Sequence, residues 1–142
     1  MIKSFISWLR NFLNKKQQIY TDGGHKGKWG SWAFVIVRGD KIVHERSGRV
    51  RNANSHRMEF QAAIEALSFL KKNCRATVFS DSKILIDCMK LEKKRPAVYA
   101  DQIDQLDLLS TKHSLSWAWV KAHSGILHNE RCYQLCTQAR NG

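Results

Sequence analysis

Tyr20-Thr21-Asp22-Gly23-Gly24 and Ser80-Asp81-Ser82 decide the fold, because each sets an acid at the end of a short apolar run of strand type. Between them, Met58-Glu59-Phe60 puts a third acid at the start of an apolar-periodic helix. If the two strands are neighbours, the three acids meet at one end of a sheet, where open α/β sheets commonly bind ligands. Three like charges repel one another unless a cation joins them, and an oxygen-only donor set favours magnesium or manganese over zinc. Taken singly, each acid also has a plain structural use: Asp81 as a helix cap, Glu59 as a partner of the helix dipole and Asp22 as a turn former.

Working outward, residues 18–22 read as a first strand, followed by a glycine-rich bend and a second strand over 31–37. Arg38-Gly39-Asp40-Lys41 is a turn, and residues 42–50 return as a third strand of an antiparallel meander. Ala62, Ala63, Ile64, Ala66, Leu67 and Leu70 repeat with helical period behind polar Asn54 and Ser55, which puts Glu59 in the first turn. Residues 76–79 form a short buried strand, and Asp81 or Ser82 caps the helix after it. A helix over 97–109, a fifth strand over 115–120 and a last helix over 127–139 complete the pattern. Strands alternating with helices after an antiparallel opening predict an α/β fold, a mixed five-stranded sheet flanked by helices.

The first sixteen residues stand apart. Ile2, Phe5, Ile6, Leu9, Phe12 and Leu13 recur at helical spacing, with Lys3, Ser4, Ser7, Arg10, Asn11 and Asn14 opposite, so an extra N-terminal amphipathic helix is expected. Its apolar stretches are too interrupted to span a bilayer, and no small-residue pattern marks a signal peptide. Two destinations are open: packing on its own domain, or docking Phe5, Trp8, Leu9 and Phe12 onto a membrane surface or a protein partner. Lys3, Arg10, Lys15 and Lys16 would suit anionic lipid, and an accessory role in attachment is the reading adopted. The domains are therefore 1–16, the extension, and 17–142, the folded unit.

With 142 residues the chain buries roughly two thirds of its unfolded surface and needs no cross-links. A formal net charge of +12 points to a polyanionic partner, nucleic acid first, although surplus charge can also serve solubility alone. Cys74, Cys88, Cys132 and Cys136 are too sparse for a secreted disulfide scaffold, which suits reduced thiols in a cytoplasmic protein, expected to be a monomer. His128, Cys132 and Cys136 recur every four residues, a spacing that admits zinc but more often reflects small cysteines packed inside a helix.

Together with Trp119-Val120-Lys121-Ala122-His123-Ser124-Gly125 and Asn129-Glu130-Arg131-Cys132, the three acidic motifs resemble ribonuclease HI over roughly residues 17–140. The resemblance implies a ribonuclease H-like domain that hydrolyses the RNA strand of RNA–DNA hybrids with Mg2+ or Mn2+, leaving a 5′-phosphate. It makes Asp22, Glu59 and Asp81 the metal ligands, and sets His123 near the scissile phosphate, where it helps proton movement or product release. It also implies substrate contacts at Gly23, Gly24, Asn54, Ser55, His56 and Ser82. Ser55 and His56 stand where the family usually has Asn or Gln, and both can still meet a ribose 2′-OH. Lys90, Lys93, Lys94 and Arg95 match a basic handle that grips the hybrid through phosphates.

The pattern breaks at Tyr133, where the family usually carries a fourth acid. A phenol is a poor magnesium ligand, so one metal site is weakened or rebuilt, with His128, Glu130 or the substrate phosphate as candidate substitutes. An alternative follows: a hybrid-binding module that kept the fold and lost turnover. A nuclease of the same superfamily acting on DNA is a further rival, and the complete run from Trp119 to Cys132 argues against it.

Overall fold

The computed structural model describes residues 2–13, 16–71 and 73–142, with side chains at all of these except 8–13. In chain order the elements are α1 (Ile2–Leu13), β1 (Gln17–Lys26), β2 (Trp29–Arg38), β3 (Lys41–Arg51) and α2 (Ser55–Phe69). β4 (Arg75–Ser80), α3 (Lys83–Lys90), α4 (Ala100–Ser110), β5 (Ser114–Trp119) and α5 (Leu127–Asn141) follow. The sheet runs β3-β2-β1-β4-β5; the first three strands are antiparallel, and β4 and β5 lie parallel to β1.

Alternation along β1 divides the core. Ile19 faces α2 and joins Phe34, Ile36, Phe60, Leu67, Val78, Leu85 and Leu106 in the larger cluster. Tyr20 faces α5 and packs with Ala33, Val35, Val37, Cys132 and Cys136. Side chains alternating along the strands thus send apolar residues to both faces of the sheet, and each face has its own helical cover. The meander turns at Gly39 and Asp40 with φ of 54° and 64°, the left-handed pair that a two-residue hairpin needs.

Several sequence expectations are corrected. The bend expected after Asp22 is absent: β1 continues through Gly23 and Gly24 to Lys26, and the chain turns only at Gly27 and Lys28. These glycines serve close approach instead of a turn, since a Cβ on Gly23 would lie 2.3 Å from the Glu59 nitrogen of α2. Glu59 is the fifth helical residue of α2, one turn further in than expected, because the helix begins at Ser55. Of the two candidate caps for α3, Ser82 is the one used, accepting from the Leu85 N–H at 3.3 Å. The helix expected over 97–109 opens as a short 3-10 turn at Ala97–Tyr99 behind Pro96 before α4 begins.

α1 forms as expected, with Ile2, Phe5 and Ile6 exposed. Trp8, Leu9 and Phe12, which carry the rest of the expected docking face, and Arg10 on the polar side have side chains outside those described, and Asn14 and Lys15 lie outside the described residues. Among the described residues no helix is long and apolar enough to cross a membrane.

Candidate active site

The site exists because two ladders on β1 end at different places. Pairing with β4 stops at Tyr20 opposite Phe79, whereas pairing with β2 runs on to Lys26 opposite Trp29. Past Tyr20, β1 therefore has a free edge, and Asp22 stands on it just where β4 ends in Ser80 and Asp81. The indole N–H of Trp119 donates to the Asp81 carbonyl at 3.1 Å and Val120 N–H to Ser80 O at 3.0 Å, so the end of β5 fixes the end of β4.

Glu59 reaches this notch from the other side. Asn54 caps α2 by accepting from the Arg57 N–H at 2.9 Å, and the bare Gly23 lets the helix lie against the strand. Glu59 Oε1 accepts from the Gly23 N–H, and Oε2 lies 3.5 Å from the Ser80 hydroxyl, which donates to it. Asp22, Glu59 and Asp81 then offer carboxylate oxygens all within 4.8 Å of one another, the first two buried and Asp81 half-buried.

Such packing is electrostatically costly for the bare protein. Burial, then the charge of Asp81, pushes the Asp22 carboxyl up to about 7, while a hydrogen bond with Glu59, the Gly23 N–H and the charge of Arg140 pull it the other way. Glu59 is held well above the usual carboxylate range by burial and by its two acidic neighbours, and burial also raises Asp81. A divalent cation removes this repulsion, and three hard oxygen donors fit magnesium or manganese. The donor set thus fits the metal that the sequence pattern implies.

The acids form one wall of an open cleft of about 600 Å³, lined also by Gly23, Gly24, His25, Ser55, His56 and Ser82. The side toward α5 is lined by His123, Tyr133 and Arg140. His123 has φ of 53° and an exposed ring, with Nδ1 3.7 Å from Glu130 Oε1 and its face or edge set at right angles to Tyr133, centroids 4.7 Å apart. Tyr133, at the position of the missing acid, is 40% exposed.

The expected handle lies outside this cleft, and three of its four cations, Lys90, Lys93 and Arg95, are engaged with the protein. Arg95 makes a two-pronged ion pair with Asp107 at 2.6 and 3.0 Å and donates Nε to Cys88 O at 3.1 Å. Lys93 sits 3.3 Å from Asp87 and Lys90 3.4 Å from Glu92. Asn54 likewise has its carbonyl oxygen occupied by the cap. Cys132 and Cys136 are fully buried, their thiols against the Tyr20, Ala33 and Ser31 carbonyls, as packing and not as a zinc site.

Arg140 is the site residue that sequence reading missed. At the end of a helix it reads as a cation complementing the dipole, and only its seven-residue spacing from Tyr133, two turns along one face, signals otherwise.

The family model described as RNase H matches residues 14–141. A ribonuclease H of Francisella philomiragia is 35% identical over 143 aligned residues, covering 90% of this chain and 93% of that one. One from Pelobacter propionicus is 34% identical, covering 86% and 83%. Among solved structures, the N-terminal RNase H domain of a Mycobacterium tuberculosis protein superposes with a TM-score of 0.76 at 20% identity, over 89% of this chain and 94% of that domain. LC11-RNase H1 in complex with an RNA/DNA hybrid gives 0.68 at 19% identity, over 87% and 99%.

Proposed function

The chain belongs to the ribonuclease H family, and on that premise we propose that it is an endonuclease hydrolysing the RNA strand of RNA–DNA hybrids. The observation that carries this reading is the convergence of Asp22, Glu59 and Asp81 within 4.8 Å at the free edge of β1. A divalent ion, Mg2+ or Mn2+, when bound by these carboxylates, supplies activation of water and charge stabilisation at the phosphate.

The remaining work falls to the chain itself. The buried acids are held by Gly23, Ser80 and the β5 end, so they need no reorganisation when substrate arrives. His123, with Nδ1 turned to Glu130, keeps Nε2 for a proton exchanged with the reacting oxygens or the departing product. Ser55 and His56 line the same cleft and offer a hydroxyl and an imidazole to the ribose 2′-OH, which selects RNA. Water attack without a covalent enzyme intermediate leaves a 5′-phosphate on the downstream product. The excess of cations holds the hybrid through its backbones. In this reading the domain of residues 17–142 acts as a monomer in the cytoplasm, and residues 1–16 are an accessory attachment element.

Cleavage of a labelled hybrid, double-stranded RNA and double-stranded DNA across a magnesium and a manganese titration tests the proposal. Only the hybrid should be cut, and only with an added ion. Tight hybrid binding without cleavage at any ion concentration would favour the alternative that Tyr133 suggests, a binding module without turnover. Cleavage of double-stranded DNA would indicate a different nuclease of the superfamily.

A further inference from the structure

On the α5 side of the cleft, two residues bear on the charge of the site. Tyr133 stands where the family pattern has a carboxylate, and two helical turns later Arg140 brings a guanidinium to the same cleft. Its position is built. Arg140 Nη1 donates to Ser31 Oγ at 3.3 Å and to Cys136 Sγ at 3.6 Å, and Nη2 to Thr137 Oγ1 at 3.1 Å. Ser31 lies directly opposite Gly24 across the β1–β2 ladder. The guanidinium occupies the space above Gly24 that any side chain there would fill, since a Cβ would meet Nη1 at 2.3 Å. Asp22 and Gly24 share one face of β1, so the guanidinium is seated on the strand that carries Asp22, on the acid's own face. Nε is buried with no acceptor, and the positive charge of Arg140 acts on the Asp22 carboxyl, favouring its ionised form.

The charges then compose differently from the family pattern. Four acids would carry four negative charges, which two divalent ions neutralise. Here three carboxylates face one guanidinium, leaving two negative charges, which a single divalent ion neutralises. A second ion on the α5 side would meet a phenol and a fixed positive charge.

We infer that this chain carries a one-ion variant of the family site, in which Asp22, Glu59 and Asp81 hold one divalent cation and Arg140 supplies, from α5, the second positive charge facing the substrate phosphate. The inference rests on the hydrolase reading above. Arginine suits the task because its charge is permanent, and the bonds of Nη1 and Nη2 to Ser31, Cys136 and Thr137 hold that charge in place with one Nη2 N–H to spare. Arg140 would be a fixed electrostatic element, independent of ion concentration.

Metal-stripped protein titrated with Mn2+, with the free ion followed by electron paramagnetic resonance, tests this without reference to turnover. Wild type should bind one ion per chain. R140Q should bind it about tenfold more tightly, as removal of one positive charge near a divalent ion requires, whereas R140K should stay near wild type. The double variant Y133D/R140Q should take up two ions per chain. Two ions bound by wild type, or Mn2+ affinity of R140Q within twofold of wild type, would overturn the inference. If R140Q does not fold, the wild-type stoichiometry still decides. Because no hybrid is present, one ion per chain in a protein that cuts nothing would refute the hydrolase reading and leave the ion count standing.

Discussion

The two walls of the cleft are built in opposite ways. Asp22 and Glu59 are buried side chains on core elements, tied to Gly23, Ser80 and, through Asp81, to the end of β5. His123 and Tyr133 are exposed, one in a loop with positive φ and the other midway along α5; their rings meet each other, and His123 also faces Glu130. Substitution on the first wall disturbs packing and chemistry together. At His123 and Tyr133 on the second it alters chemistry with little effect on packing, and Tyr133 is where this chain departs from the family pattern.

The largest effect should come from breaking the buried wall. Asp22→Asn or Asp81→Asn should lower hybrid cleavage by about a thousandfold or more, several kcal/mol of charge stabilisation, while circular dichroism shows an intact fold. Cleavage at the wild-type rate in magnesium would show that these acids do not serve the reaction. The same variants should change stability in the metal-free protein. Because the Asp22 carboxyl is raised to about 7, the folded state holds more protons than the unfolded one between about pH 4 and 7. Stability of the metal-free wild type should therefore fall as pH rises through that window. Asp22→Asn should flatten that fall and raise the melting temperature at pH 7 by about 5 °C. A wild-type melting temperature that climbs from pH 4 to pH 7 would contradict the assignment.

His123→Ala sharpens the contrast. It should lower the cleavage rate by about a hundredfold, the lower end for loss of general acid–base assistance. The metal-free melting curve should not move, since the ring is exposed. A loss of stability comparable to that of a core truncation would place His123 on the wrong wall.

A smaller effect is expected from the handle. Replacing Lys93 and Lys94 by alanine should weaken hybrid binding evenly across sequences and flatten the slope of log affinity against log salt by up to about 0.9 per lost contact. Arg95→Ala should behave differently, lowering the unfolding midpoint, because its guanidinium ties the segment after α3 to Asp107 in α4. An identical salt slope in the double lysine variant would make the cluster ordinary solvated surface.

The smallest effect should follow deletion of residues 1–16. Cleavage should stay within a few-fold of wild type and the unfolding midpoint should hold, since Ile2, Phe5 and Ile6 are exposed and the sheet begins at Gln17. A large fall in the midpoint would make α1 part of the core and remove the attachment reading.

What could be read beforehand follows the same division. The sheet, its helices and the meeting of three acids were legible because period-two and period-3.6 burial write themselves into residue type at every position. Gly23 and Gly24 misled, since a glycine that admits a helix backbone looks the same in sequence as one that turns a chain. Arg95 misled and Arg140 was missed for another reason: a cation's partner is set by tertiary contact, and neither Asp107 nor Ser31 announces itself from a distance in the chain. Ser80, whose hydroxyl steadies Glu59, was visible only as part of a motif.

Cys132 and Cys136 give the molecule a built-in clock. Their thiols lie between α5 and the sheet with no solvent access, burial pushes Cys136 up to about 12 and Cys132 higher than an ordinary thiol, whereas Cys74 is partly exposed. A thiol reagent can reach the buried pair only when α5 lifts from β1 and β2. Their rate of labelling therefore counts openings of the helix that carries Tyr133 and Arg140, and anything that draws the two sides of the cleft together should slow it.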